Sequence, residues 1–132
     1  MGSYEDARNA SEFPKRKPVI GDEYHINAIY DAIGNLKVPV SDKKAADMAH
    51  NAGDYISGAL MSHRSGDPKT AWMKSEEAAK VVTTLANHLM MNHGVDESRA
   101  LYASGHARQH VLDYGDSAVQ DQDDRFRNGE EY

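Results

Sequence analysis

The chain has 132 residues, no cysteine and a formal net charge of −6. That length suits one domain around a single core. Disulfide staples and thiolate chemistry are excluded, and an acidic bulk surface does not attract nucleic acid or anionic lipid.

Residues 1–20 form the first segment, an arm. Tyr4, Phe13, Val19 and Ile20 are isolated apolar residues, and Pro14 and Pro18 bracket Lys15-Arg16-Lys17. Proline-flanked basic residues favour an extended chain. Phe13 with Lys15, Arg16 and Lys17 is therefore a candidate anchor on a partner. Residues 1–6 lack the basic start and apolar run of a secretory signal.

Residues 21–115 read as a helical domain, an all-α four-helix bundle with helices near 22–35, 42–64, 68–93 and 96–115. Gly21-Asp22 marks a turn and cap, and Ile26, Ile29, Tyr30 and Ile33 mark a short amphipathic helix ending near Gly34-Asn35. Leu36, Val38 and Val40 around Pro39 suit an extended connector. Ser41 is the expected cap of the second helix, whose apolar face is Ala45, Met48, Ala49, Ala52, Ile56, Ala59, Leu60 and His63.

The third and fourth helices make a hairpin that anchors the domain. Asp67-Pro68 is a strong start, because Asp caps well and Pro is favoured at the first helical position. Ala71, Ser75, Ala78, Val82, Leu85 and Leu89 alternate steps of four and three residues, the period of one helical face. Gly94 suits a left-handed stop, and Asp96 can cap the fourth helix. Ala100, Ser104, Ala107, Val111 and Tyr114 form its inner stripe, and Gly115 is the expected end. A three-residue link makes the two helices antiparallel. The sequence leaves open whether the whole bundle is up-down or crossed.

Residues 116–132 form an acidic arm with six carboxylates against Arg125 and Arg127. That composition buries too little surface to offset the entropy of ordering. Phe126 between two arginines is its candidate anchor.

Chemistry is sparse. Among seven histidines, His106 and His110 lie four apart on one helix, the spacing with which helical metal sites begin. His88, His93 or Asp113 is the available third ligand. The inner stripe places His106 and His110 on an outward flank, which suits a solvated or subunit-contact face, so no cofactor is expected. His25, His50 and His63 carry no pattern. There is no nucleophile elbow and no phosphate-binding loop. Glu76 and Glu77 are adjacent, so they do not converge on one site. The clusters at 15–17 and 125–127 support loose nucleic-acid contact at most. Trp72 lies one residue off the core stripe. It is expected to close the core edge near residues 64–68, or to anchor a partner.

These features point to a non-enzymatic structural or assembly subunit of a multi-subunit particle, for example a virion component. It would contact neighbouring protein subunits, as a homo- or hetero-oligomer, through its arms and helix faces. The expected location is cytoplasmic or virion, without a membrane span, since no apolar run approaches ~18 residues. Two alternatives remain: a helical metal protein or enzyme centred on His106 and His110, and an acidic regulator of another protein.

Overall fold

A computed structural model describes residues 20–120, with side chains from Asp22 onward; both arm anchors lie outside that range. The described residues form an all-α four-helix bundle: α1 (Ile20–Leu36), α2 (Lys43–Arg64), α3 (Pro68–His93) and α4 (Glu97–Tyr114). A single π-helical turn, Gly115–Val119, follows α4 directly.

Most of the apolar stripe residues face inward as their spacing predicts; Tyr30 of α1 is instead exposed, and Met48, Ala49 and Leu60 of α2 are only partly buried. Every member of the α3 stripe from Ala71 to Leu89 is buried, as are Ala100, Ser104, Ala107, Val111 and Tyr114 of α4. Many contact residues are alanines. Ala45, Ala52 and Ala59 recur every seven residues, as do Ala71, Ala78 and Leu85, and all six are fully buried. Seven-residue spacing keeps one seam turned towards a partner over several turns, and small side chains let helix axes come close. The packing of α2 on α3 is the most extensive, followed by α1 on α4 and α3 on α4.

Cross-helix bonds set the direction of each neighbour. Arg64, at the end of α2, donates two hydrogen bonds at 2.9 and 2.8 Å to Glu23 near the start of α1. His88 and His93, at the end of α3, meet Asp42 at the start of α2. Trp72 near the start of α3 bonds Val111 near the end of α4. His25 near the start of α1 meets His110 near the end of α4. Every adjacent pair is therefore antiparallel, and the bundle is a closed up-down-up-down ring.

Several ends differ from the sequence expectation. Leu36 belongs to α1 and is buried; the chain reverses at Lys37, whose φ is 53°. Asp42 caps α2 in place of Ser41, accepting from the Ala45 amide at 3.1 Å. Asp67 caps α3 as expected, and Gly94 ends it with φ 65°. Asp96 occupies the cap position of α4 but makes no side-chain bond to the helix backbone, accepting instead from the Ser98 hydroxyl.

α4 ends at Tyr114 with Gly115 as its C-cap, as expected, but the chain stays helical because a π turn starts at Gly115. Gly115 is right-handed helical, and a Cβ there would lie 2.9 Å from Trp72 Nε1. Glycine is present because the indole occupies that space. The π turn that begins at Gly115 buries Ala118 and Val119, so the core extends past the expected boundary.

Candidate functional site

The expected histidine pair sits on the flank of α4 that faces α1. Tyr102, His106 and His110 recur every four residues, so their rings rise along one line of the helix. Tyr102 stacks on His106 with centroids 5.3 Å apart, and His106 meets His110 edge-on at 4.5 Å. The line continues onto α1. His110 lies 5.2 Å from His25 and 5.5 Å from Tyr24, ring centre to ring centre.

His110 does not point outward. Only 9% of it is exposed, because the antiparallel α1 covers its position. Its Nδ1 lies 2.9 Å from Nδ1 of His25, one ring donating and the other accepting. Burial pushes the His110 pKa down, and the neighbouring His106 and His25 add to that shift against Asp113 and Asp31. The shared Nδ1 bond needs one of the two rings to present a bare nitrogen there, and the lowered His110 pKa works in the same direction. Tyr24 and Tyr102, at the two ends of the strip, are 62% and 58% exposed.

The donor set around His110 also differs from the sequence expectation. Nitrogens of His25 and His110 and an oxygen of Asp113 lie within 4.8 Å of one another. His106 stands outside that group, stacked on Tyr102. His88 and His93 belong to a separate group with Asp42, between the start of α2 and the end of α3. His25 was missed because the contact spans 85 positions and leaves no local spacing to read.

Trp72 is half-buried and donates its indole N–H to the Val111 carbonyl at 3.1 Å. It seals α3 against the end of α4, at Val111 and Gly115. Glu76 and Glu77 are partly exposed on α3, and Glu77 accepts from Lys80 at 3.2 Å.

A second feature lies between α1 and α2, which pack less extensively than the other adjacent pairs. Here an open groove of about 1030 Å³ is lined by Ile33, Ile56 and Leu60 together with Tyr30, Asp31 and Asp54. Both aspartates are exposed. The groove thus combines apolar side chains with one exposed aspartate from each helix, and Asn27, Asn35, His50 and Ser57 also line it.

Phe13, Lys15, Arg16, Lys17, Arg125, Phe126 and Arg127 lie outside the described residues. No helix among the described residues is long and apolar enough to cross a membrane. Comparison with protein-family models, with curated proteins and with solved structures finds no match to this chain.

Proposed function

We propose that this protein is a non-enzymatic assembly subunit whose α1–α2 groove receives the basic arm of a neighbouring copy. The observation that carries this reading is the groove itself: apolar residues together with Asp31 and Asp54 in its lining, in a chain whose residues 13–17 read Phe-Pro-Lys-Arg-Lys. An aromatic anchor beside cations matches apolar side chains together with carboxylates. A proline-bracketed segment starts with fewer conformations to lose than a flexible one, which lowers the entropy cost of docking.

The exposed Tyr24 and Tyr102 and the exposed Leu101 and Leu112 of α4 add further contact surface. Tyrosine suits such surfaces because it offers a large rigid area with a polar tip. A particle built of many copies, such as a virion, is one setting for this chemistry.

Sedimentation velocity of the full chain across a concentration series tests the reading. Wild type is expected to self-associate, and Phe13→Ala to shift it to monomer. A wild type that stays monomeric at every concentration overturns the reading. So does a monomer that Phe13→Ala merely destabilises, since the arm would then serve its own groove.

A further inference from the structure

Asp42, His88 and His93 form a cluster at the end of the bundle opposite His110. Nε2 of His88 lies 2.8 Å from Asp42 Oδ2, and Nε2 of His93 lies 2.7 Å from the same oxygen. The three donor atoms all fall within 4.8 Å of one another. We propose that this cluster binds one zinc-class divalent cation, held by two imidazole nitrogens and one carboxylate oxygen.

The fold prepares each ligand. Asp42 is the cap of α2, and its Oδ1 is engaged with the Ala45 amide at 3.1 Å. That bond fixes the carboxylate and turns Oδ2 towards α3 as a monodentate ligand. His88 sits in the penultimate turn of α3 and His93 is its last residue, so both reach the start of α2 from the antiparallel neighbour. Side-chain exposures of 15%, 33% and 17% for His88, His93 and Asp42 leave a path for an ion and for a completing water.

The distances suit a small adjustment. Donors around a tetrahedral zinc stand roughly 3.3 Å apart, since each bond is about 2.0–2.1 Å. Opening the two contacts by about half an ångström makes that space, and terminal side chains at a helix end can supply it. Two nitrogens and one oxygen form a borderline donor set that favours zinc-like ions over calcium or magnesium. The Asn92 amide nitrogen donates to the His88 carbonyl at 2.9 Å and lies 3.3 Å from Nδ1 of the same residue, which places it beside the ring.

The His25–His110–Asp113 group is the weaker alternative. Its two nitrogens are engaged with each other, and His110 is packed between Tyr24 and His106. The Asp42 site also has a structural consequence. An ion there would staple the start of α2 to the end of α3, at the opposite end from the Glu23–Arg64 pair.

The test is titration of the metal-stripped full chain with Zn²⁺ by calorimetry, with Co²⁺ absorption as a second readout. The expected result is one strong site per chain, a tetrahedral cobalt spectrum and a higher Tm with zinc. Asp42→Asn retains a capping oxygen while removing the charge, so it should fold and bind at least about tenfold more weakly, no less than the loss of an outer contact costs. His88→Ala with His93→Ala should abolish the site, and His25→Ala should leave it intact. No strong site in wild type overturns the proposal, and its two imidazoles then serve only as donors to the cap carboxylate. Unchanged binding in the His88→Ala, His93→Ala protein, or loss in His25→Ala, overturns it in favour of the other cluster.

Discussion

His63 on α2 and Tyr114 on α4 meet across the diagonal of the bundle, with Nδ1 2.9 Å from the phenol oxygen and at most 1% of either residue exposed. Their rings pack edge-to-face at 5.6 Å. A polar pair this deep favours the register in which the two groups meet, because a shifted register would leave buried polar atoms without this bond. Tyr114→Phe keeps the ring and removes the hydroxyl. It is expected to destabilise the fold by about 1–2 kcal/mol, the cost of removing one partner of a buried hydrogen bond. Tyr114→Ala should cost about 3–5 kcal/mol by adding a cavity. Urea denaturation gives both values, and equal midpoints for Tyr114→Phe and wild type would remove the hydrogen bond from the account.

Gly115 and Trp72 make a second test. A Cβ at residue 115 would stand 2.9 Å from Nε1 and 3.0 Å from Cε2 of the indole. Gly115→Ala must displace Trp72 from the Val111 carbonyl, at a cost of about 1–3 kcal/mol typical of overpacking. As Trp72 is the sole tryptophan, its fluorescence should shift to the red. An unchanged spectrum with unchanged stability would show that the indole does not occupy that space.

The Glu23–Arg64 pair predicts an acid dependence. The Arg64 guanidinium holds the Glu23 carboxyl below its usual range, chiefly through its hydrogen bonds. A carboxyl with a lowered folded pKa contributes stability above its unfolded pKa and loses it as pH falls through the folded value. Glu23→Gln should therefore lower the Tm slightly at pH 7, and the gap should close in acid below about pH 4. The effect is small because Arg64 is largely exposed. A gap that persists at pH 2–3 would assign the loss to packing.

His106 and His110, alike by spacing, should behave differently. His106→Ala removes a partly exposed ring stacked on Tyr102 and should cost less than about 1 kcal/mol. His110→Ala empties a buried position among three rings and should cost about 2 kcal/mol. The His110 pKa is lowered in the fold, so protonation favours the unfolded chain. Its contribution is complete well above the unfolded value near 6.5 and is lost as pH falls through that value. Wild type should therefore lose more stability than His110→Ala between pH 7 and pH 5. Parallel pH profiles would place the ring in water.

The difference between these two histidines shows what the sequence could convey. Local period identified the helices and their buried faces, because burial of a helical stripe repeats every three or four residues. Asp67, Pro68 and Gly94 were legible because caps act within one turn. Cross-helix partners were not. His25 against His110 and Asp42 against His88 depend on which helix lies beside which, and that follows from the antiparallel ring. The close approach of the Trp72 indole to Gly115 left no local signal either, because the two lie 43 positions apart. Ser41 is the expected cap and Asp42 the actual one, a shift of one position that capping preference does not resolve because both residue types cap well.

The assembly reading makes its sharpest prediction through charge. Asp31 and Asp54 line the groove from opposite helices, and Lys15, Arg16 and Lys17 are the cations proposed to meet them. Both aspartates are exposed, so each contact should be worth less than about 1 kcal/mol and should weaken with salt. Asp31→Lys with Asp54→Lys replaces attraction by repulsion at two places. Self-association is expected to weaken by about tenfold or more, roughly 1.4 kcal/mol, while the fold stays intact. The decisive step is the reciprocal change. Lys15→Glu, Arg16→Glu and Lys17→Glu alone should also dissociate the assembly, and combining them with the two aspartate reversals should restore it. Restoration requires that the two charge sets face each other, since independent damage would add and leave the combined variant weakest. Sedimentation velocity of all four proteins at low and high salt reads the cycle. A combined variant no better than either parent would separate the arm from the groove and leave the exposed face of α4 as the remaining contact surface.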